Sequence, residues 1–142
     1  MINRELINPQ SIVVVGGSNN VHKPGGRLVR NLLDGKYKGE LYVVNAKEDD
    51  VQGLKSYHSV HDIPETELAI ISIPGPACPE AVDVLAKQKN VKAFIVISAG
   101  FGEETHEGAI LEEQMLKSIN EAGASLIGPN CIGLMNMHYL SL

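Results

Sequence analysis

Ile12-Val13-Val14-Val15-Gly16-Gly17-Ser18-Asn19-Asn20-Val21-His22-Lys23-Pro24-Gly25-Gly26 is the stretch on which the fold turns. It opens with an unbroken β-branched run. A strand with one wet face alternates apolar and polar residues, whereas a parallel strand covered on both faces does not. The glycines that follow allow a tight exit from the strand, and a helical pattern begins near Gly26. Strand, glycine loop and helix together read as the first half of a βαβ unit.

The same grammar repeats along the chain. Leu41-Tyr42-Val43-Val44-Asn45, Leu68-Ala69-Ile70-Ile71-Ser72-Ile73, Ala93-Phe94-Ile95-Val96-Ile97-Ser98 and Ser125-Leu126-Ile127-Gly128 are further strands. Helices are predicted at about 26–34, 77–89 and 107–122, with Leu111, Met115, Ile119 and Ala122 forming one stripe in the last. Gly35, Asn90 and Gly123 follow these helices, where helix C-termini favour Gly or Asn. Residues 46–67 lack a strong helical period and read as a loop or one short helix. The expectation is a single α/β domain over residues 1–142, with a Rossmann-like, doubly wound, mainly parallel five-stranded sheet.

Composition narrows the partners. The chain has 142 residues, 44% hydrophobic and 20% charged, with a net charge of −5 and no tryptophan. Without a basic run it is a poor candidate for nucleic acid or an anionic membrane. A phosphate ligand stays open, because backbone amides hold one without net positive charge. Cys78 and Cys131 form neither a disulfide framework nor a zinc pattern. With no membrane-length apolar run and no secretory leader, a cytoplasmic protein is expected. The closing stretch from Gly133 to Leu142 is too apolar for a comfortable free tail. Either it packs back on the domain or the chain continues into a further one.

Ligands of open α/β sheets bind beyond the carboxyl ends of the strands. The loop from Gly16 to Gly26 therefore invites a phosphate, with glycine giving close approach and the helix aiming free N–H groups at it. A plain tight turn is the bland alternative, and the G-x-G-x-x-G spacing of dinucleotide dehydrogenases is absent. Strand two ends Val44-Asn45-Ala46-Lys47, where an NAD site would place an acid on the ribose hydroxyls. Lys47 suits a phosphorylated ribose instead, as in NADP or coenzyme A, although alone it would read as a solvated lysine. Ile73-Pro74-Gly75-Pro76 offers a stiff apolar wall for a pantetheine arm, or simply a helix start. Ser98-Ala99-Gly100-Phe101-Gly102-Glu103 and Gly128-Pro129-Asn130-Cys131-Ile132-Gly133 complete a set of Gly/Pro loops at one sheet edge.

These motifs resemble the CoA-binding domain of nucleoside-diphosphate-forming acyl-CoA synthetases, the family of ADP-forming acetyl-CoA synthetases and the succinyl-CoA synthetase α subunit. The match runs through Asn8-Pro9-Gln10-Ser11-Ile12, Gly16-Gly17-Ser18, Gly25 with Asn31-Leu32, Tyr42 to Lys47, Ile73-Pro74, and the last two loops. Gly17 stands where the family usually has Ala, and Ala46 where it usually has Pro. The resemblance implies coenzyme A as ligand. It implies that Gly16, Gly17, Ser18, Asn19 and Gly25 cradle the CoA phosphates and that Lys47 meets the adenosine end. Ile73 and Pro74 would line the pantetheine path, Ile97, Ser98 and Ala99 would touch CoA from strand four, and Asn130 would lie near the thiol. It further implies partners, namely a phosphohistidine domain and an ATP-grasp module.

Neither partner module fits in this length, so the chain alone is expected to be inactive, with no catalytic residue and no metal site. Its histidines, at 22, 58, 61, 106 and 138, fall in loops or at chain ends and read as surface or supporting residues. His106 with Glu107 suits the opening of the third helix, where an acid favours the dipole. Cys78 and Cys131 read as small buried residues, and Glu103-Glu104 as a solvated pair. Competing parents are a free-standing CoA-binding protein, a protein lysine acetyltransferase with a synthetase-like half, and an NADP-binding oxidoreductase domain. The Gly-Phe-Gly-Glu and Gly-Pro-Asn-Cys blocks favour the synthetase branch.

Overall fold

The computed structural model describes residues 8–97 and 106–127. Strand β1 (Ser11–Val15) leads through the glycine loop to helix α1 (Pro24–Asp34) and strand β2 (Glu40–Val44). A hairpin of β3 (Asp50–Val51) and β4 (Leu54–Tyr57) follows, then β5 (Leu68–Ile71), α2 (Cys78–Gln88), β6 (Ala93–Val96), α3 (His106–Glu121) and β7 (Ser125–Ile127). Single 3-10 turns at Val60–Asp62 and Gly75–Ala77 lead into β5 and α2. The strands form one seven-stranded sheet in the order β3-β4-β2-β1-β5-β6-β7. Every neighbouring pair is parallel except β3 with β4.

Strand β1 is central and buried on both sides, which explains its unbroken apolar run. Val13 and Val15 pack with residues of α2 and α3, such as Val82, Leu85, Met115 and Ile119. Ile12 and Val14 pack on the other face with Leu28, Val29 and Leu32 of α1. Each such side chain contributes about 1.5–3 kcal/mol when fully buried, so the run is the spine of the core. The predicted stripe of α3 is also in place: Met115 and Ile119 are buried, and Leu111 and Ala122 pack beside them.

The sheet has two strands more than expected, and both lie in the 46–67 segment read as a loop or short helix. β3 and β4 are only two and four residues long, too short to show a period, and their pairing rather than their own pattern makes them strands. Ser56 and Tyr57 align with Val43 and Val44 of β2, while Asp50 and Val51 fold back on Lys55 and Leu54. The helices match their predicted spans to within two residues at each end, with α1 starting at Pro24, a residue suited to the first helical turn. Asn90 and Gly123 take left-handed backbone after α2 and α3, but Gly35 does not; Lys36 does so after α1. Among the described residues, no helix is long and apolar enough to cross a membrane.

Candidate functional site: a cleft at the sheet switch point

After β1 the chain moves outward to β2 and β4, and then returns to place β5 on the other side of β1. The crevice between β1 and β5 at their carboxyl ends is where such sheets take ligands. A cleft of about 510 Å³ opens there, lined by the Gly16–Ser18 loop, Lys23 to Gly25, Asn45 to Lys47, His58 to Val60 and Ser72 to Pro74. A hollow of about 650 Å³ lies beside Pro9, Gln10 and residues 35–40, at the amino end of β1 and β2. It is the roomier of the two, but it lacks the glycine loop and the strand carboxyl ends.

The cleft floor is backbone. Gly16 has a φ of +92°, and its N–H donates to the Val44 carbonyl at 2.9 Å. A Cβ on Gly16 would come within 2.1 Å of the Ser72 carbonyl oxygen, and one on Gly25 within 2.1 Å of the Gly16 carbonyl oxygen. Glycine at both positions lets the helix start, the loop and β5 meet without side chains between them. The first turn of α1 carries no acidic residue, and its cap residue, Lys23, makes no side-chain cap. The positive end of the helix dipole therefore faces the cleft uncompensated, beside a basic side chain.

Two amides hold this floor in place. Asn45 donates from Nδ2 to the Gly17 carbonyl at 2.9 Å, and its Oδ1 accepts from the backbone N–H groups of Lys47 at 2.9 Å and Glu48 at 3.0 Å. One side chain thus joins the glycine loop to the turn that presents Lys47. Gln52, on the β3–β4 hairpin, donates from Nε2 to the carbonyls of Ser18 at 2.8 Å and Gly26 at 2.9 Å. His58, on the cleft wall, lies with Nε2 2.8 Å from Asp49 Oδ1, a charged pair only when the imidazole is protonated.

Of the residues singled out from sequence, Gly16, Gly17, Ser18, Gly25, Lys47, Ile73 and Pro74 all line the cleft. Asn19 turns away from it: its Nδ2 donates to the Asp50 carbonyl at 2.9 Å and its Oδ1 accepts from the Gln52 N–H at 2.7 Å. Ile97 follows β6 at the same sheet edge but is not among the cleft residues; it packs against the α1 side of the core. Ser98, Ala99 and Asn130, with the Gly100–Glu103 and 128–133 motifs and Cys131, lie outside the described residues. Sequence reasoning passed over Gln52, used Asn45 as the absence of an acid and as part of the Tyr42–Lys47 match, and read His58 as a surface or supporting residue. Cys78 is buried, as expected for a small core residue.

The profile of a family described as "CoA binding domain" matches residues 10–137. The chain belongs to that CoA-binding family. The α subunit of acetate–CoA ligase (ADP-forming) II from Pyrococcus furiosus is 40% identical over 135 residues, covering 94% of this chain and 29% of the relative. Among solved structures, PH0766 from Pyrococcus horikoshii OT3 superposes with a TM-score of 0.83 at 40% identity, over 93% of this chain and 30% of that one. Acetyl-coenzyme A synthetase 1 of Ca. Korarchaeum cryptofilum gives a TM-score of 0.81 at 36% identity, over 89% of this chain and 27% of its own. This CoA-binding domain therefore spans under a third of the length of these relatives. The Rossmann-like architecture and the CoA ligand read from sequence both stand.

Proposed function

We propose that this chain is the CoA-holding module of an ADP-forming acyl-CoA synthetase, an acid–thiol ligase, and is inactive by itself. The observation that carries the reading is the convergence of a side-chain-free glycine loop, an uncapped helix start, Lys47 and the Ile73-Pro74 wall on one cleft. That set matches the parts of CoA in order. The Gly16–Ser18 loop with the start of α1 would bind the diphosphate through backbone N–H groups. Lys47 would meet the 3′-phosphate of the ribose by a charge-assisted hydrogen bond. Ile73 and Pro74 would hold the pantetheine arm, with Ile97, Ser98 and Ala99 further along and Asn130 near the thiol. When bound, CoA supplies the thiol that accepts an acyl group; the residues here bind and orient it.

The remaining chemistry belongs to partners, a phosphohistidine domain and an ATP-grasp module, with the assembly in the cytoplasm. Among the described residues no cluster of His, Cys, Asp or Glu could hold a metal ion. Phosphoryl transfer needs nucleotide, magnesium and acceptor positioned together, and the cleft described here is committed to CoA. Calorimetry with CoA, dephospho-CoA, NAD and NADP tests the ligand reading, with CoA expected to bind most tightly. NADP binding as tightly as CoA would overturn it.

A further inference from the structure

The β3–β4 hairpin touches the cleft only from behind, yet three local oddities converge on Gln52 at its tip. The hairpin has a two-residue loop, Gln52-Gly53, with φ of 52° and 90°. Positive φ at both positions is the pattern of a type I′ turn, whose first place favours Asn or Asp and rarely suits a longer side chain. Gln52 Oε1 is buried and makes no hydrogen bond among the described residues. Its Nε2 protons instead go to the carbonyls of Ser18 and Gly26, the two ends of the phosphate loop. Asn19 reaches back from that loop and holds both the Gln52 N–H and the Asp50 carbonyl. A non-glycine residue in left-handed backbone with an unsatisfied buried side-chain oxygen is locally costly, and such costs point to a functional demand.

We propose that Gln52 and Asn19 form an amide clamp that holds the loop from Ser18 to Gly26 in its ligand-ready shape, so that Gln52 is a positioning residue for CoA. This rests on the cleft being the CoA site. The clamp fixes the carbonyls of Ser18 and Gly26 at the two ends of the loop, and so fixes the shape of the backbone between them, which includes Lys23 to Gly25 on the cleft. It also couples two segments more than thirty residues apart, since the Gln52–Ser18 contact spans a separation of 34. Asn19 accordingly belongs to the loop's support and not to the phosphate contacts.

Gln52→Asn separates this role from a turn role. Asn is the better residue for the first position of a type I′ turn, but it is one methylene shorter and cannot reach the two carbonyls. The variant should keep or raise the unfolding midpoint while binding CoA about tenfold more weakly, the scale of losing hydrogen bonds that pre-organise a site. In the ligand-free chain, amide exchange at Asn20, His22 and Lys23, held by bonds within the loop, should quicken about tenfold. Gln52→Glu, which keeps the length but loses both donors, should weaken CoA at least as much. Unchanged exchange and CoA affinity in Gln52→Asn would overturn the clamp. So would a fall in unfolding midpoint with faster exchange across the whole sheet, which would make Gln52 a general stabiliser. If the unmodified chain fails to bind CoA, the reading of the cleft fails, and the exchange comparison still decides the clamp.

Discussion

Replacing Gly25 with Ala is the sharpest test of the backbone cradle. The added Cβ would sit 2.1 Å from the Gly16 carbonyl oxygen and 2.9 Å from its carbon, both main-chain atoms. Real Cβ atoms essentially never come closer than 3.0 Å to a neighbour, so the helix start and the loop must separate by about 0.9 Å. Overpacking of this kind costs roughly 1–3 kcal/mol. The obstacle is backbone on both sides, which argues for the upper end, about 3 kcal/mol. Alanine in the helix recovers up to about 1 kcal/mol of that. The net of about 2 kcal/mol should lower the melting temperature by roughly 8 °C at this chain length and leave the domain folded. CoA affinity should fall more steeply, about a hundredfold, because the phosphate-facing N–H groups are displaced by nearly an ångström. Calorimetry at a temperature well below both melting points measures the affinity, and thermal melts measure the stability. Gly123→Ala is the matched control. Gly123 has a φ of +67° with nothing within 4 Å of an added Cβ, so about 1 kcal/mol of stability should go while CoA binding is untouched. Gly25→Ala binding CoA within threefold of the parent chain would refute the cradle.

Lys47→Ala should weaken CoA by about 1–2 kcal/mol, the scale of an exposed charge-assisted hydrogen bond. It should leave dephospho-CoA unaffected, and equal losses for the two ligands would remove Lys47 from the 3′-phosphate. A stability prediction concerns Tyr37, whose hydroxyl donates to the Pro9 carbonyl at 2.7 Å. Burial, then the charges of Glu67 and Glu40, push its pKa from 10.0 up to about 12. Because the folded value is raised, the neutral phenol's contribution is complete below pH 10 and is lost between pH 10 and about 12. Urea titrations across that window should show a steeper loss of stability for the parent than for Tyr37→Phe, and parallel pH curves would contradict it.

How far the sequence could be read depended on whether a residue's partners were local. The run from Ile12 to Val15 declares a doubly covered strand by its own composition, and Met115 with Ile119 declares a helix face by spacing alone. The hairpin gave no such sign. Its strands are two and four residues long, and Asp50-Val51-Gln52-Gly53-Leu54 lacks the Asn-Gly pair that announces a type I′ turn. Only Gly53, with Val51 and Leu54 as isolated apolar residues on either side of the turn, marked the place. Those strands exist because β2 offers Val43 and Val44 as a template edge, and a template contributed by another segment leaves no periodicity in the segment that uses it.

The same distinction divides the site. Gly16 and Gly25 shape the cleft through their own backbone and Pro74 through its own ring, so what they do is visible at their own positions. Asn45 and Gln52 act by binding the loop from 28 and 34 residues away, and an amide's reach cannot be inferred until the fold brings its target near. Asn19 is the converse case. Its place in a glycine loop suggests a ligand contact, yet its donor and acceptor are both taken by the hairpin. A polar side chain in a phosphate loop has two possible customers, the ligand and the scaffold. Where the scaffold takes both ends of an amide, the ligand is left with the backbone, and under the function proposed above selectivity for CoA falls to Lys47 and the apolar wall beyond it.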